Sequence, residues 1–217
     1  MNTIKMIAAC ACSMRAGVLY CLVVGGLAGC GVMQPAPRPV VYDFGPGAVS
    51  TAGASPLPAL PALMLTEVEA PASLDSTAVL YRLAYSDAQQ LRPYAQARWS
   101  MPPAQLLRQR LRETLGQQRV VLQPGEGVSS SAPSLTLRIA LEEFSQLFAS
   151  ADTSAGLLRL RATLSQGSGG GERVLAQRSF VVQRDSASAD AAGGVRALTA
   201  ATDAVIADLD QWLRQGF

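Results

Sequence analysis

The chain has 217 residues, 49% hydrophobic and 16% charged, with 18 basic and 16 acidic side chains. It has no histidine, and its four cysteines, Cys10, Cys12, Cys21 and Cys30, all precede Gly31. The body beyond them therefore lacks histidine acid–base chemistry, Cys/His metal sites and Cys/His or Ser/His nucleophile pairs, and its near-neutral charge leaves no electrostatic footprint for nucleic acid.

Lys5 and Arg15 are the basic residues before Cys30, and from Ala16 the chain reads AGVLYCLVVGGLA. That run is too short to cross a bilayer as a helix, which needs about 20 residues. A basic start, a short apolar middle and a small-residue end make a secretory signal peptide over residues 1–29, with Met6 and Met14 as alternative starts. Its end, Leu27-Ala28-Gly29-Cys30, resembles the lipobox of bacterial lipoproteins. The resemblance implies that the Cys30 thiol takes a diacylglycerol, that the preceding peptide is removed, and that the new amino group is acylated. A plain cleaved signal or a membrane anchor is the alternative. Cleavage leaves Cys30 as the sole cysteine, so a disulfide is not expected, although an exported chain could form one.

Residues 30–61 are rich in Pro, Ala and Gly and have almost no apolar period. This composition predicts a disordered tether spanning on the order of 30 Å. One island, Val40-Val41-Tyr42-Asp43-Phe44-Gly45-Pro46, reads either as a short strand added to the body or as an apolar spot within the tether.

A single domain is predicted over 62–217. Leu63–Val68 reads as a strand stopped by Pro71. Ala78–Tyr85 alternates, with Val79, Tyr81, Leu83 and Tyr85 on one face, and a turn at Ser86-Asp87 leads to a returning strand over Tyr94–Trp99. Pro102-Pro103 opens a helix in which Leu107, Leu111 and Leu115 repeat, and Gly116 ends it. Arg108 and Arg112 are placed on its exposed side with Arg110 and Arg119 nearby, either as a patch for acidic headgroups or an acidic partner, or as a solvated helix face.

Leu135, Leu137, Ile139 and Leu141 alternate, and the apolar positions then shift phase to Phe144. Such a shift predicts a β-bulge near Glu142-Glu143. These two are the only adjacent acidic residues, and neighbouring strand positions face opposite ways, so no catalytic carboxylate pair is expected. Leu158, Leu160, Ala162 and Leu164 form the next alternation, with Arg159 and Arg161 outward. Gly167–Gly171 is a hairpin tip leading to a strand over Arg173–Arg184 with Phe180 and Val182 on one face. It lacks the Lys-Ser/Thr pair of a phosphate loop.

The last element is a helix from about Ser188 to Leu213. Val195, Leu198, Thr202, Val205, Leu209 and Trp212 form a stripe suited to docking on the sheet, since it is too short for a secure coiled-coil seam. The expected fold is α+β: a mostly antiparallel sheet of about six strands with two main helices on one face. No cofactor or metal site is expected.

This order of pieces resembles the ABC-type transport auxiliary lipoproteins that work with MCE proteins. The resemblance lies in Tyr42-Asp43-Phe44-Gly45-Pro46, in LDSTAVLYRLAY up to Tyr85, and in LRPYAQARWSMPPAQLLRQRL from Leu91 to Leu111. It continues in LEEFSQLF from Leu141 to Phe148 and in the Ala-rich helix ending Asp210-Gln211-Trp212-Leu213. It implies a non-enzymatic, periplasm-facing body lipid-anchored to the outer membrane through Cys30. Its partners would be an MCE-family periplasmic protein with an inner-membrane permease and ATPase, and a homo-oligomeric ring is part of the same implication. The rival reading is a structural lipoprotein supporting outer-membrane protein assembly or lipopolysaccharide insertion.

Overall fold

A computed structural model describes residues 38–47, 60–125, 135–168 and 171–215. The signal peptide, Cys30 and most of the tether lie outside the described residues.

The sheet is organised around one long strand, β6 (Leu135–Phe148). Along its whole length it pairs antiparallel with β7 (Ser154–Ser168), from Leu135 opposite Gln166 to Phe148 opposite Ser154. Its other side is shared by two strands lying end to end. β2 (Leu60–Glu69) runs parallel to Leu135–Ala140, and β3 (Ala78–Leu83) runs parallel to Gln146–Phe148. A single 3-10 turn, Ala72–Leu74, is the described helical piece between them.

Outside β2 lies β5 (Arg119–Leu122), and outside β3 lies β4 (Asp87–Trp99), followed by β1 (Val40–Tyr42). On the far side β8 (Gly171–Asp185) completes the sheet against β7. The sheet therefore has eight strands and is mixed, with four parallel pairings, β1–β4, β2–β5, β2–β6 and β3–β6. This corrects the six-stranded, mostly antiparallel expectation. Hairpin links report only sequential neighbours, whereas crossovers bring β2, β3 and β5 parallel to their partners.

Local sequence accounts for the rest. α1 (Pro103–Leu115) starts with proline at its first position and buries Leu107, Leu111 and Leu115. Gly116 follows it, but in right-handed conformation with φ −64°, so no left-handed cap is formed. α2 (Ala191–Leu213) begins three residues later than expected. The Asp190 side chain caps it by accepting from the Gly193 N–H at 2.7 Å. The whole stripe from Val195 to Trp212 is buried, and Trp212 meets Phe180 edge-on, with centroids 6.0 Å apart.

α1 packs on β2 and β5, α2 packs on β6, β7 and β8, and the two helices touch. Two glycines permit the close approach of α2. A Cβ on Gly156 of β7 would stand 2.6 Å from the Leu198 backbone nitrogen, and one on Gly194 would overlap the Gln146 side chain. Gln146 is fully buried and satisfied. It accepts from the Tyr94 hydroxyl at 2.9 Å and donates to Ser154 Oγ at 2.7 Å.

The predicted bulge is present: Leu141 opposes Leu160 while Glu143 opposes Arg159, leaving Glu142 extra. The β3 face departs from expectation. Its register with β4 shifts on both sides of Leu80-Tyr81, Leu80 is buried beside Val79, and Tyr85 falls beyond the strand as an exposed turn residue.

Candidate functional site

Within the island Val40–Pro46, Val40–Tyr42 forms strand β1. Val40, Val41 and Tyr42 pair parallel with Ala97, Arg98 and Trp99. Phe44 then turns into the core and meets Trp99 edge-on at 5.5 Å and Phe144 at 6.0 Å between centroids. Behind it the chain folds back through Gly45 and Gly47, both with positive φ (66° and 68°), which only glycine adopts without strain.

The guanidinium of Arg110 lies beneath this turn. Its Nη2 donates to the carbonyls of Phe44 and Gly45, and it ion-pairs with Asp203 of α2 at 3.3 Å and Glu113 at 3.8 Å. Arg110 is 4% exposed. Expected near the exposed Arg108 and Arg112, it is instead buried and ties α1, α2 and the incoming chain together. Arg119 is also buried, against Asp210 at 3.6 Å. Burial pushes its pKa below the ordinary arginine value, the Asp210 carboxylate opposing and Arg214 adding to the fall. Asp210 also accepts from Arg214, with Nη2 at 2.7 Å.

Arg108 and Arg112 do flank a common groove of about 860 Å³ between α1 and β5, with Glu67, Val120 and Val121 also on its wall. Their states differ. Arg108 is half-buried, pairs with Glu67 at 2.7 Å and donates to Gln123 at 3.0 Å. Arg112 is exposed and has no ion pair among the described residues.

Arg159 and Arg161 are both exposed on the face of the sheet away from α2. Arg161 is neutralised by Glu142, while Arg159 has no ion pair among the described residues. The bulge has a second effect here. It puts Glu142 and Glu143 on the same face, contrary to the simple alternation expected of neighbours. Glu143 is gripped by Arg82 through two bonds of 3.1 and 3.4 Å and accepts from Ser145 at 2.6 Å. A similar trio lies further along the sheet. The Ser165 hydroxyl, reinforced by Arg138, holds the Glu172 carboxyl below the usual carboxylate range.

The arrangement offers charged contact surfaces and a built chain junction. Among the described residues no cluster of three or more metal-ligating side chains occurs, and no helix is long and apolar enough to cross a membrane.

A family model described as the ABC-type transport auxiliary lipoprotein component matches residues 42–209. The chain belongs to this family. The match begins at Tyr42, the last residue of β1, and ends at Leu209 within α2, so it includes the Phe44 turn, strands β2 to β8, α1 and most of α2. The auxiliary-lipoprotein fold is shared with a Xanthomonas campestris crystal structure assigned to the DUF330 family. That structure is similar at 22% identity and TM-score 0.60, over 83% of this chain and 88% of that one. A crystal structure of an uncharacterized protein is similar at 16% identity and TM-score 0.59, over 82% of this chain and 99% of that one. No curated protein matches the chain.

Proposed function

We propose that this chain is a non-enzymatic accessory lipoprotein of an MCE-type lipid transport system. It is anchored by acylated Cys30 in the outer membrane and faces the periplasm. The family match over residues 42–209 carries the reading. The lipobox at Leu27–Cys30 supports the anchor. The partner is an MCE-family protein that spans the periplasm, served by an inner-membrane permease and ATPase, and the contact is a protein surface. Arg112 and Arg159 support that last point, because each is exposed and has no carboxylate bound to it among the described residues. Arginine suits interfaces because its planar fork binds carboxylates bidentately and stacks on aromatic rings.

The test is affinity purification of the tagged, lipidated chain from membranes in mild detergent, followed by identification of what accompanies it. Recovery of an MCE protein with a permease and an ATPase is the expected result. Recovery of outer-membrane assembly proteins instead would replace the transport reading with a structural one.

A further inference from the structure

The place where the chain joins the sheet sets how the body stands on a membrane. β1 is parallel to β4, which is antiparallel to β3. Val41 lies opposite Arg98, and Arg98 lies opposite Ala78, so the chain joins at the level where β3 begins. It arrives from the end at which β3 finishes. From Ala78 to Leu83 the strand advances about 16 Å. Leu83 sits beside Phe148, and Ala155 sits opposite Asp185. The β3–β4 turn, the β6–β7 turn and the approach to α2 therefore share this one end. The opposite end, at the β7–β8 hairpin tip, lies on the order of 30 Å the other way.

Nine residues, Gly31 to Pro39, separate Cys30 from β1. Fully extended they reach at most about 30 Å. About half of that is needed to pass the β3–β4 end, and the hairpin-tip end is at or beyond full stretch.

We propose that the β3–β4 end of the sheet rests on the lipid surface, with Tyr85 as its interfacial contact. This rests on the reading of Cys30 as the lipid anchor. Tyr85 is 53% exposed at the tip of the β3–β4 turn, and a ring with a hydroxyl suits the boundary between headgroups and acyl chains. Ala84, Ser86 and Ala88 around it are small and uncharged. The Asp87 carboxylate is turned back onto the Gln89 N–H, and Asp190 is committed to capping α2. Asp152 and Asp185 lie at this same end, so the surface fits a zwitterionic leaflet better than a strongly anionic one.

The mature chain has no cysteine after Cys30, so single substitutions carry a label cleanly. Tyr85→Cys, Val41→Cys and Val181→Cys replace exposed side chains. Each lipidated variant is labelled with bimane in phosphatidylcholine vesicles whose acyl chains are brominated. Quenching several-fold stronger at position 85 than at 41 and 181 is expected. Equal quenching at 85 and 181, or strongest quenching at 41, would overturn the proposal; the latter would mean a body lying on its β1 edge. Failure of the unlabelled lipidated protein to float with the vesicles would overturn the Cys30 anchor itself, and the orientation with it.

Discussion

The Arg110 guanidinium donates to the carbonyl oxygen of Phe44 across 66 positions of sequence, and so holds the incoming chain against both helices. Arg110→Met removes that donor and leaves the buried Phe44 carbonyl without it. A loss of about 1–3 kcal/mol in urea denaturation is expected. Faster hydrogen exchange should follow at the Ser100 amide, which donates to Tyr42 in the same junction at 2.7 Å. Unchanged exchange there would mean that β1 holds without Arg110.

The two glycines at the contact between α2 and the sheet, Gly194 in the helix and Gly156 in β7, differ in what a methyl group would strike. At Gly156 it meets backbone, which cannot rotate away, and at Gly194 it meets a glutamine side chain. Gly156→Ala is therefore expected to cost more, in the range of about 1–3 kcal/mol for overpacking. Gly194→Ala combined with Gln146→Ala should cost less than the sum of the two, because the clash and the side chain vanish together. Thermal melts of the four variants decide both points.

Tyr94 makes stability depend on pH at the alkaline end. Burial, the neighbouring Tyr81 and Asp190 push its pKa well above the ordinary tyrosine value. The folded state therefore keeps the phenol proton where the unfolded state has released it. Stability from this group is complete below the unfolded value of about 10 and falls as pH rises beyond it. Tyr94→Phe should flatten that decline while losing the bond to Gln146. Melting temperatures between pH 8 and 11 report it, and parallel curves for the two proteins would count against a role for this hydroxyl.

Lipidation is testable at one atom. Cys30→Ser should abolish labelling by a palmitate analogue and leave uncleaved precursor. The residue after Cys30 is Gly31, not the aspartate that retains enterobacterial lipoproteins in the inner membrane, so fractionation should find the labelled protein with outer-membrane markers.

Among the outward arginines, Arg112 and Arg159 are the ones to reverse, because Arg108 and Arg161 already hold Glu67 and Glu142. If either surface is central to partner binding, its change to Glu should weaken co-purification about tenfold, equivalent to about 1.4 kcal/mol, with the melt unmoved. Full binding by both would leave the groove and the outer sheet face as solvated surfaces.

Periodicity made much of this fold legible. The shift from Leu141 to Phe144 announced the bulge, Pro103 with Leu107, Leu111 and Leu115 announced α1, and the Val195–Trp212 stripe announced α2. Pairing was less legible, because alternation says which way a side chain faces and not which strand lies beside it. Arg119–Leu122 is too short to show a period, so β5 was missed. Arg110 and Arg119 looked like surface residues because their charge is visible in sequence and their carboxylate partners, Asp203 and Asp210, lie on a distant helix. The bulge was foreseen, yet its effect of turning Glu142 and Glu143 to one face depends on which residue is left unpaired.

The placement of β2 and β3 along the same side of β6 has a kinetic consequence. Synthesis delivers both strands, and the hairpin partner β4, well before the strand that joins them. Until β6 has emerged, the edges of β2 and β3 that face it have no neighbour to close them, and no local turn can supply one. Folding must then close loops of about 65–75 residues at once, which favours a slow phase and a window in which open edges can capture other chains. A holdase acting during that interval should raise the yield of folded protein without changing its final stability.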